Sequence, residues 1–270
     1  MKKSFVLTLI LLSLALILCA CNKGGDEPTD APTDKVSEKT TEAEKPVGIP
    51  EGAVMLSTEA GLRVLYADGC FDGANLVYGR LMDVDPYAYS NIGYYSMLRS
   101  DRSYADDGKL EILIGMTGKD ASEKSRESLE TYLDYTVSVI DGSIVINSHS
   151  PERLDEAVDY FLSRVKLIGD SVVYLPENKE NIGKYTDYPA PDVDIAGVAL
   201  SEFSFVYPKE ATEYELAAVR MMIDWIGKNT GAIISMRDDS TEREQYEILM
   251  GKTSREVSEQ IFSTLAQNEY

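Results

Sequence analysis

The sequence predicts an α/β (α+β) chain of small mixed sheets with helices packed on them, one complete module followed by a second, partial copy. Three observations carry that expectation. Short runs of β-branched and aromatic residues alternate with stretches whose apolar residues recur at helical spacing. An Asp-Gly pair between two alternating runs marks a tight hairpin. The run Leu110-Glu111-Ile112-Leu113-Ile114-Gly115-Met116-Thr117 returns as Tyr246-Glu247-Ile248-Leu249-Met250-Gly251-Lys252-Thr253, with the same order of elements around it.

The chain opens on Met1-Lys2-Lys3 and an apolar stretch from Phe5 to Ala20, broken by Thr8 and Ser13. Two lysines, an apolar centre and a small residue before a cysteine are the layout of a secretory signal, residues 1–20. Leu18-Cys19-Ala20-Cys21 resembles the lipobox of bacterial lipoproteins. That resemblance implies cleavage after Ala20 and a diacylglycerol on the sulfur of Cys21. The expected partner is then the bacterial cell membrane, reached through acyl chains on Cys21, and the expected location is extracytoplasmic. The apolar stretch falls short of the ~20 residues of a spanning helix. Residues 21–50 carry the lipidated cysteine and a Pro-, Thr- and Glu-rich tether, too poor in large apolar residues to offset the entropy of ordering it.

The first module is expected over 51–185. Leu62–Tyr66 reads as a strand stopped at Asp68-Gly69, and a helical stretch around Asn75–Met82 follows. Leu110–Ile114 is a strand ended by Gly115, and residues 119–132 read as a polar helix. Tyr135–Ile140 and Ser143–Asn147 flank Asp141-Gly142 as a type I′ hairpin. Ser150 caps and Pro151 opens a helix whose apolar face is Leu154, Ala157, Val158, Phe161, Leu162 and Val165. Val172–Leu175 is expected to close the sheet as an edge strand.

Residues 186–194 read as a Pro- and Asp-rich linker, and 195–270 as the second module. Phe203–Tyr207 is its first strand. Thr212 and Glu215 form a capping box, with Leu216, Val219, Ile223 and Ile226 facing inward. Ala232–Met236 and the Ile248 run are further strands, and 259–269 the last helix. Ser122 and Ser258 match across the copies. The second copy lacks a hairpin and closing helix, which implies a degenerate half or the front of a longer protein, with the Ile248 strand short of partners.

The Glu-Ile-Leu-Ile-Gly-x-Thr strand, polar helix, Tyr-initiated hairpin and apolar-faced helix together resemble the small α/β domain that precedes the catalytic barrel in family 20 β-hexosaminidases and family 67 α-glucuronidases. That resemblance spans about Leu62–Val165, and Phe203–Ser258 in part. In those families the domain is an accessory, so no catalytic residue carries over.

A net charge of −20, made more acidic by two when Lys2 and Lys3 leave with the signal, excludes nucleic acid as a partner. Cys70 is the cysteine left unlipidated, so no intramolecular disulfide forms in the mature chain. Between acids Asp68 and Asp72 it reads as a small buried residue rather than a nucleophile. His149, the one histidine, reads as a capping or surface residue. Asp83, Asp85, Asp106 and Asp107 lack calcium-loop spacing, and no cofactor or metal is expected. The recurring Glu111 and Glu247 read as strand charges paired to the neighbouring helix. The ligand-contact candidates are Tyr87, Tyr89, Tyr94 and Tyr95, with Tyr104 nearby, whose rings suit stacking on carbohydrate. The expected function is a lipid-anchored, non-catalytic carbohydrate-associated module. The alternatives are the N-terminal part of a glycoside hydrolase, or a structural or protein-interaction surface lipoprotein.

Overall fold

The computed structural model describes residues 48–56, 61–90, 92–103 and 108–265. The signal, Cys21, most of the tether, Tyr104, Asp106, Asp107 and the end of the last expected helix lie outside the described residues. None of the described helices is long and apolar enough to cross a membrane.

In chain order the first part contains β1 (Val54–Met55), β2 (Leu62–Tyr66), α1 (Phe71–Val84), α2 (Pro86–Ser90), α3 (Tyr94–Met97), β3 (Leu98–Ser100), β4 (Leu110–Ile114), α4 (Asp120–Glu127), β5 (Tyr135–Ile140), β6 (Ser143–Ser148), α5 (Pro151–Ser163), β7 (Val165–Ile168), β8 (Ser171–Tyr174) and β9 (Glu180–Gly183). Then follow β10 (Asp194–Ile195), β11 (Val198–Ala199), β12 (Ser204–Tyr207), α6 (Glu213–Thr230), β13 (Ser235–Asp238), β14 (Glu247–Leu249) and α7 (Glu256–Thr264).

The main sheet has the order β3-β2-β4-β6-β5-β9, with β3, β2, β4 and β6 parallel. The central strands β2, β4 and β6 are buried on both faces, which is why their middles read as nearly continuous apolar runs. Val64, Ile112, Ile114, Ile144 and Ile146 meet α1 and α5 on one side. Leu65, Leu113 and Val145 meet Ala121 of α4 on the other. The hairpin forms as the Asp-Gly pair requires, with φ of +50° at Asp141 and +84° at Gly142. α5 starts at Pro151 behind Ser150 and buries Leu154, Ala157, Val158 and Phe161.

Several expected boundaries move. Val165 opens β7 instead of extending the α5 face. The chain then turns at Gly169, and β8 becomes the centre of a separate antiparallel sheet, β1-β8-β7, rather than the main sheet's edge. Val172 and Tyr174 face the same core as Phe161, so that small sheet closes the bottom of the core. The edge is β9, held on β5 with Asn181 Nδ2 donating to Val137 O at 3.3 Å. The polar helix stops at Glu127, and the turn beyond it is organised by buried Asp134, which accepts from Thr131 N at 3.0 Å and Tyr185 N at 2.9 Å. The strand expected at Ala232–Met236 begins at Ser235, because Ile234 dips into the core beside Val219 and Phe205.

The second sheet is β13-β12-β14, all parallel, with the first strand central as in β3-β2-β4. Its third strand, β14, carries no strand on its outer side among the described residues, where β4 carries β6. The coincidences continue at side-chain level. Gly115 and Gly251 both have positive φ, +75° and +77°, and each carbonyl accepts from the Thr two residues on, at 3.0 and 3.2 Å. Glu111 pairs with Lys119 at 3.4 Å and Glu247 with Arg255 at 2.8 Å; both basic residues are helix N-caps.

The described residues form one compact unit. α6 docks on the first part through Gly227, which lies under the Tyr132 ring, while Tyr132 donates from its hydroxyl to Asp224 Oδ1 at 3.0 Å. The 186–194 stretch is pinned rather than free: Tyr188 donates to Thr131 Oγ1 at 2.9 Å, and Ala190 N to Asn229 O at 2.9 Å.

Candidate functional site

Parallel strands β2, β4 and β6 finish at one edge of the main sheet. The chain leaves β2 toward α1 and β3 on one side and reaches β4 on the other, so the strand order reverses there. In open α/β sheets the crevice beyond such strand ends is where ligands sit. Here the loops after the three strands, 67–70, 115–116 and 148–150, enclose a crevice of about 540 Å³. A largely apolar groove of about 880 Å³ adjoins it, sharing Arg126, His149 and Pro151 and running on to Met221, Ile234 and Met236.

Arg126 comes from α4, and its Nε and Nη2 donate to His149 Nδ1 at 3.2 and 3.0 Å. An accepting Nδ1 places the imidazole proton on Nε2, a tautomer assigned from this contact. Burial, then the Arg126 charge, pulls His149 from 6.5 down to about 4, against the opposing pull of Asp134. Burial also lowers the Arg126 guanidinium. Tyr132 stacks beside the imidazole, with centroids 6.2 Å apart. His149 is thus half-buried and neutral, not the capping or surface residue its sequence context suggests.

Cys70 also lines the crevice. Burial, aided by the charges of Asp101, Asp155 and Asp68, pushes its thiol up to about 11, so it is protonated at neutral pH and is no nucleophile. Asp68 is taken by Arg102. Asp85 accepts from Tyr87 N at 3.1 Å and Ala88 N at 3.0 Å, which makes it the cap of α2. Among the described residues no three His, Cys, Asp or Glu side chains are grouped to hold a metal.

The four tyrosines divide. Tyr89 is buried and its hydroxyl donates to Leu56 O at 2.6 Å, so it is a core residue and cannot stack on a ligand. Tyr87 is 88 % exposed, and among the described residues it has no aromatic neighbour. Tyr94 and Tyr95 are brought together on α3, where their rings meet edge to face at 5.2 Å. Tyr78 of α1 adds a second edge contact to Tyr94 at 4.8 Å, and Asn75 Oδ1 accepts from the Tyr94 hydroxyl at 3.0 Å. Loss of solvent, then the phenols of Tyr66, Tyr95 and Tyr78, raise the Tyr94 hydroxyl. Tyr95 remains 79 % exposed.

Sequence reasoning passed over Tyr78 and Arg126 and gave Ser150 only a capping role, although its side chain makes no cap bond. The usable signal lay in position: the residues just after each parallel strand, Asp68-Gly69-Cys70, Gly115-Met116 and His149-Ser150, are those a parallel sheet gathers. Searches against protein-family models and against curated proteins return no match for the chain.

Proposed function

We propose that this chain is a lipid-anchored, extracytoplasmic, non-catalytic module that contacts carbohydrate. The observation that carries the reading is the Tyr78–Tyr94–Tyr95 group, which offers an exposed ring beside fixed hydroxyl and amide groups. Such a surface combines apolar area with hydrogen bonds at low entropy cost, as sugar contact requires. The Cys21 lipobox supplies the anchor. The likeness to accessory domains of glycoside hydrolases supports the absence of turnover. Descent of the two halves from one duplicated module belongs to the same proposal, supported by the shared strand order and the Glu–N-cap pairs.

A glycan array tests it. Binding that falls about ten-fold or more in Tyr94→Ala or Tyr95→Ala, but persists in Tyr87→Ala, is the expected result. Hydrolysis of chromogenic glycosides by the chain would overturn the non-catalytic part.

The second reading, a protein-interaction lipoprotein, is favoured by one face of α6. Tyr214, Met221 and Trp225 lie there 90, 73 and 66 % exposed, an apolar stripe of the kind that marks contact surfaces. An array without signal, together with an unchanged Tyr94→Ala protein, would favour it.

A further inference from the structure

The crevice at the strand ends holds a charge and donors that the described residues leave without an anionic partner. Among them Arg126 makes no ion pair, and its Nε and Nη2 both donate to one neutral imidazole nitrogen. His149, accepting at Nδ1, keeps its Nε2–H as a donor. Ser150 lines the same crevice, is fully buried, and among the described residues its Oγ has no partner. It is the N-cap of α5, yet its side chain satisfies none of the first-turn N–H groups of that thirteen-residue helix. Glu152, the acid in that turn, is held by Lys228 at 3.0 Å. A buried hydroxyl without a partner is costly and calls for an explanation.

The crevice also carries acids: Asp72 and Asp155 line it, Asp155 on α5 itself, and Asp68 is neutralised by Arg102. Those carboxylates accept hydrogen bonds and repel an anion, which directs a ligand's anionic group toward Arg126 and its hydroxyls toward the acids. The crevice volume suits a molecule of monosaccharide size.

The geometry points to a binding site for an oxyanion, a carboxylate, sulfate or phosphate group, carried on a small hydroxylated ligand. Arg126, the His149 Nε2–H, the Ser150 hydroxyl and the first turn of α5 hold the anion, and Asp72 and Asp155 accept from the hydroxyls. This site is separate from the tyrosines and stands whether or not they contact sugar.

The single histidine is its own reporter. In the full chain, the His149 Cε1–H NMR signal is followed during titration with glucose 6-sulfate, inorganic sulfate and glucose, with chloride at matched ionic strength. A saturable shift with the sulfated probes is expected, weakened about ten-fold or more in Arg126→Gln and Ser150→Ala, and unaltered in Tyr94→Ala. Tighter binding of the ester than of inorganic sulfate assigns the anion to a sugar; equal binding assigns the free anion. No saturable shift with either sulfated probe overturns the proposal. So does glucose shifting the signal as much as its sulfate, or a folded Arg126→Gln protein that binds unchanged. Should Arg126→Gln not fold, Ser150→Ala and the wild-type titration decide.

Discussion

Gly115 ends β4 at φ +75°, and a Cβ there would lie 2.5 Å from Cys70 Sγ. Gly115→Ala should therefore cost ~2 kcal/mol or more in urea unfolding, from left-handed backbone and collision together. Adding Cys70→Ala should restore the collision part and leave the backbone part. His149 titrates in the opposite sense from a histidine that gains an anionic partner. Its pKa falls from 6.5 unfolded to about 4 folded, so the unfolded chain takes up the proton first as pH drops. The stability that His149 contributes is complete above pH 6.5 and is lost on the way down to about 4. Thermal unfolding across that window should show a falling Tm in the wild type, and a flatter profile in His149→Gln; an equal slope in both would contradict the assignment.

Two N-caps set side by side separate structure from function among the elements. Thr212 Oγ1 accepts from Glu215 N at 3.3 Å, and Glu215 returns the bond by accepting from Thr212 N at 2.7 Å. Thr212→Ala should cost ~1 kcal/mol. Ser150 caps nothing, so Ser150→Ala should leave stability within about 0.5 kcal/mol, or raise it; a loss as large as that of Thr212→Ala would show a capping role instead. The elements legible in the sequence were those with local causes. Asp141-Gly142 needs two positive φ values, the α5 stripe needs a 3.6-residue period, and the capping box needs one Thr and one Glu. β3, β7 and β9 had no such cause. Leu98-Arg99-Ser100 and Glu180-Asn181-Ile182-Gly183 become strands because neighbouring strands offer them unpaired backbone, and a one-dimensional pattern does not carry that. Tyr87 and Tyr89 are two residues apart in one short helix, and no spacing rule tells which ring is buried.

The crevice is a property of the whole molecule. Residues 67–70, 115–116, 126 and 148–150 are far apart in sequence and meet because a parallel sheet gathers its strand ends; periodicity along the chain is silent about that. The docking of α6 is of the same kind. Gly227 sits in the last turn of α6, where glycine is otherwise unfavourable, and a Cβ there would meet Tyr132 Cγ at 2.2 Å. Gly227→Ala should loosen the packing of α6 against Tyr132 and lower stability by about 1–3 kcal/mol. Fluorescence of Trp225, the only tryptophan, should then change before the far-UV signal of the main sheet; coincident transitions with an unchanged midpoint would contradict that coupling. We propose a binding module held outside the cytosol by acyl chains on Cys21, and mass spectrometry of the N-terminal peptide from the membrane fraction of a bacterium expressing the full chain tests it. A peptide beginning at Cys21 with a diacylglycerol on its sulfur is the predicted result. An unmodified Cys21, still preceded by Ala20, would contradict it.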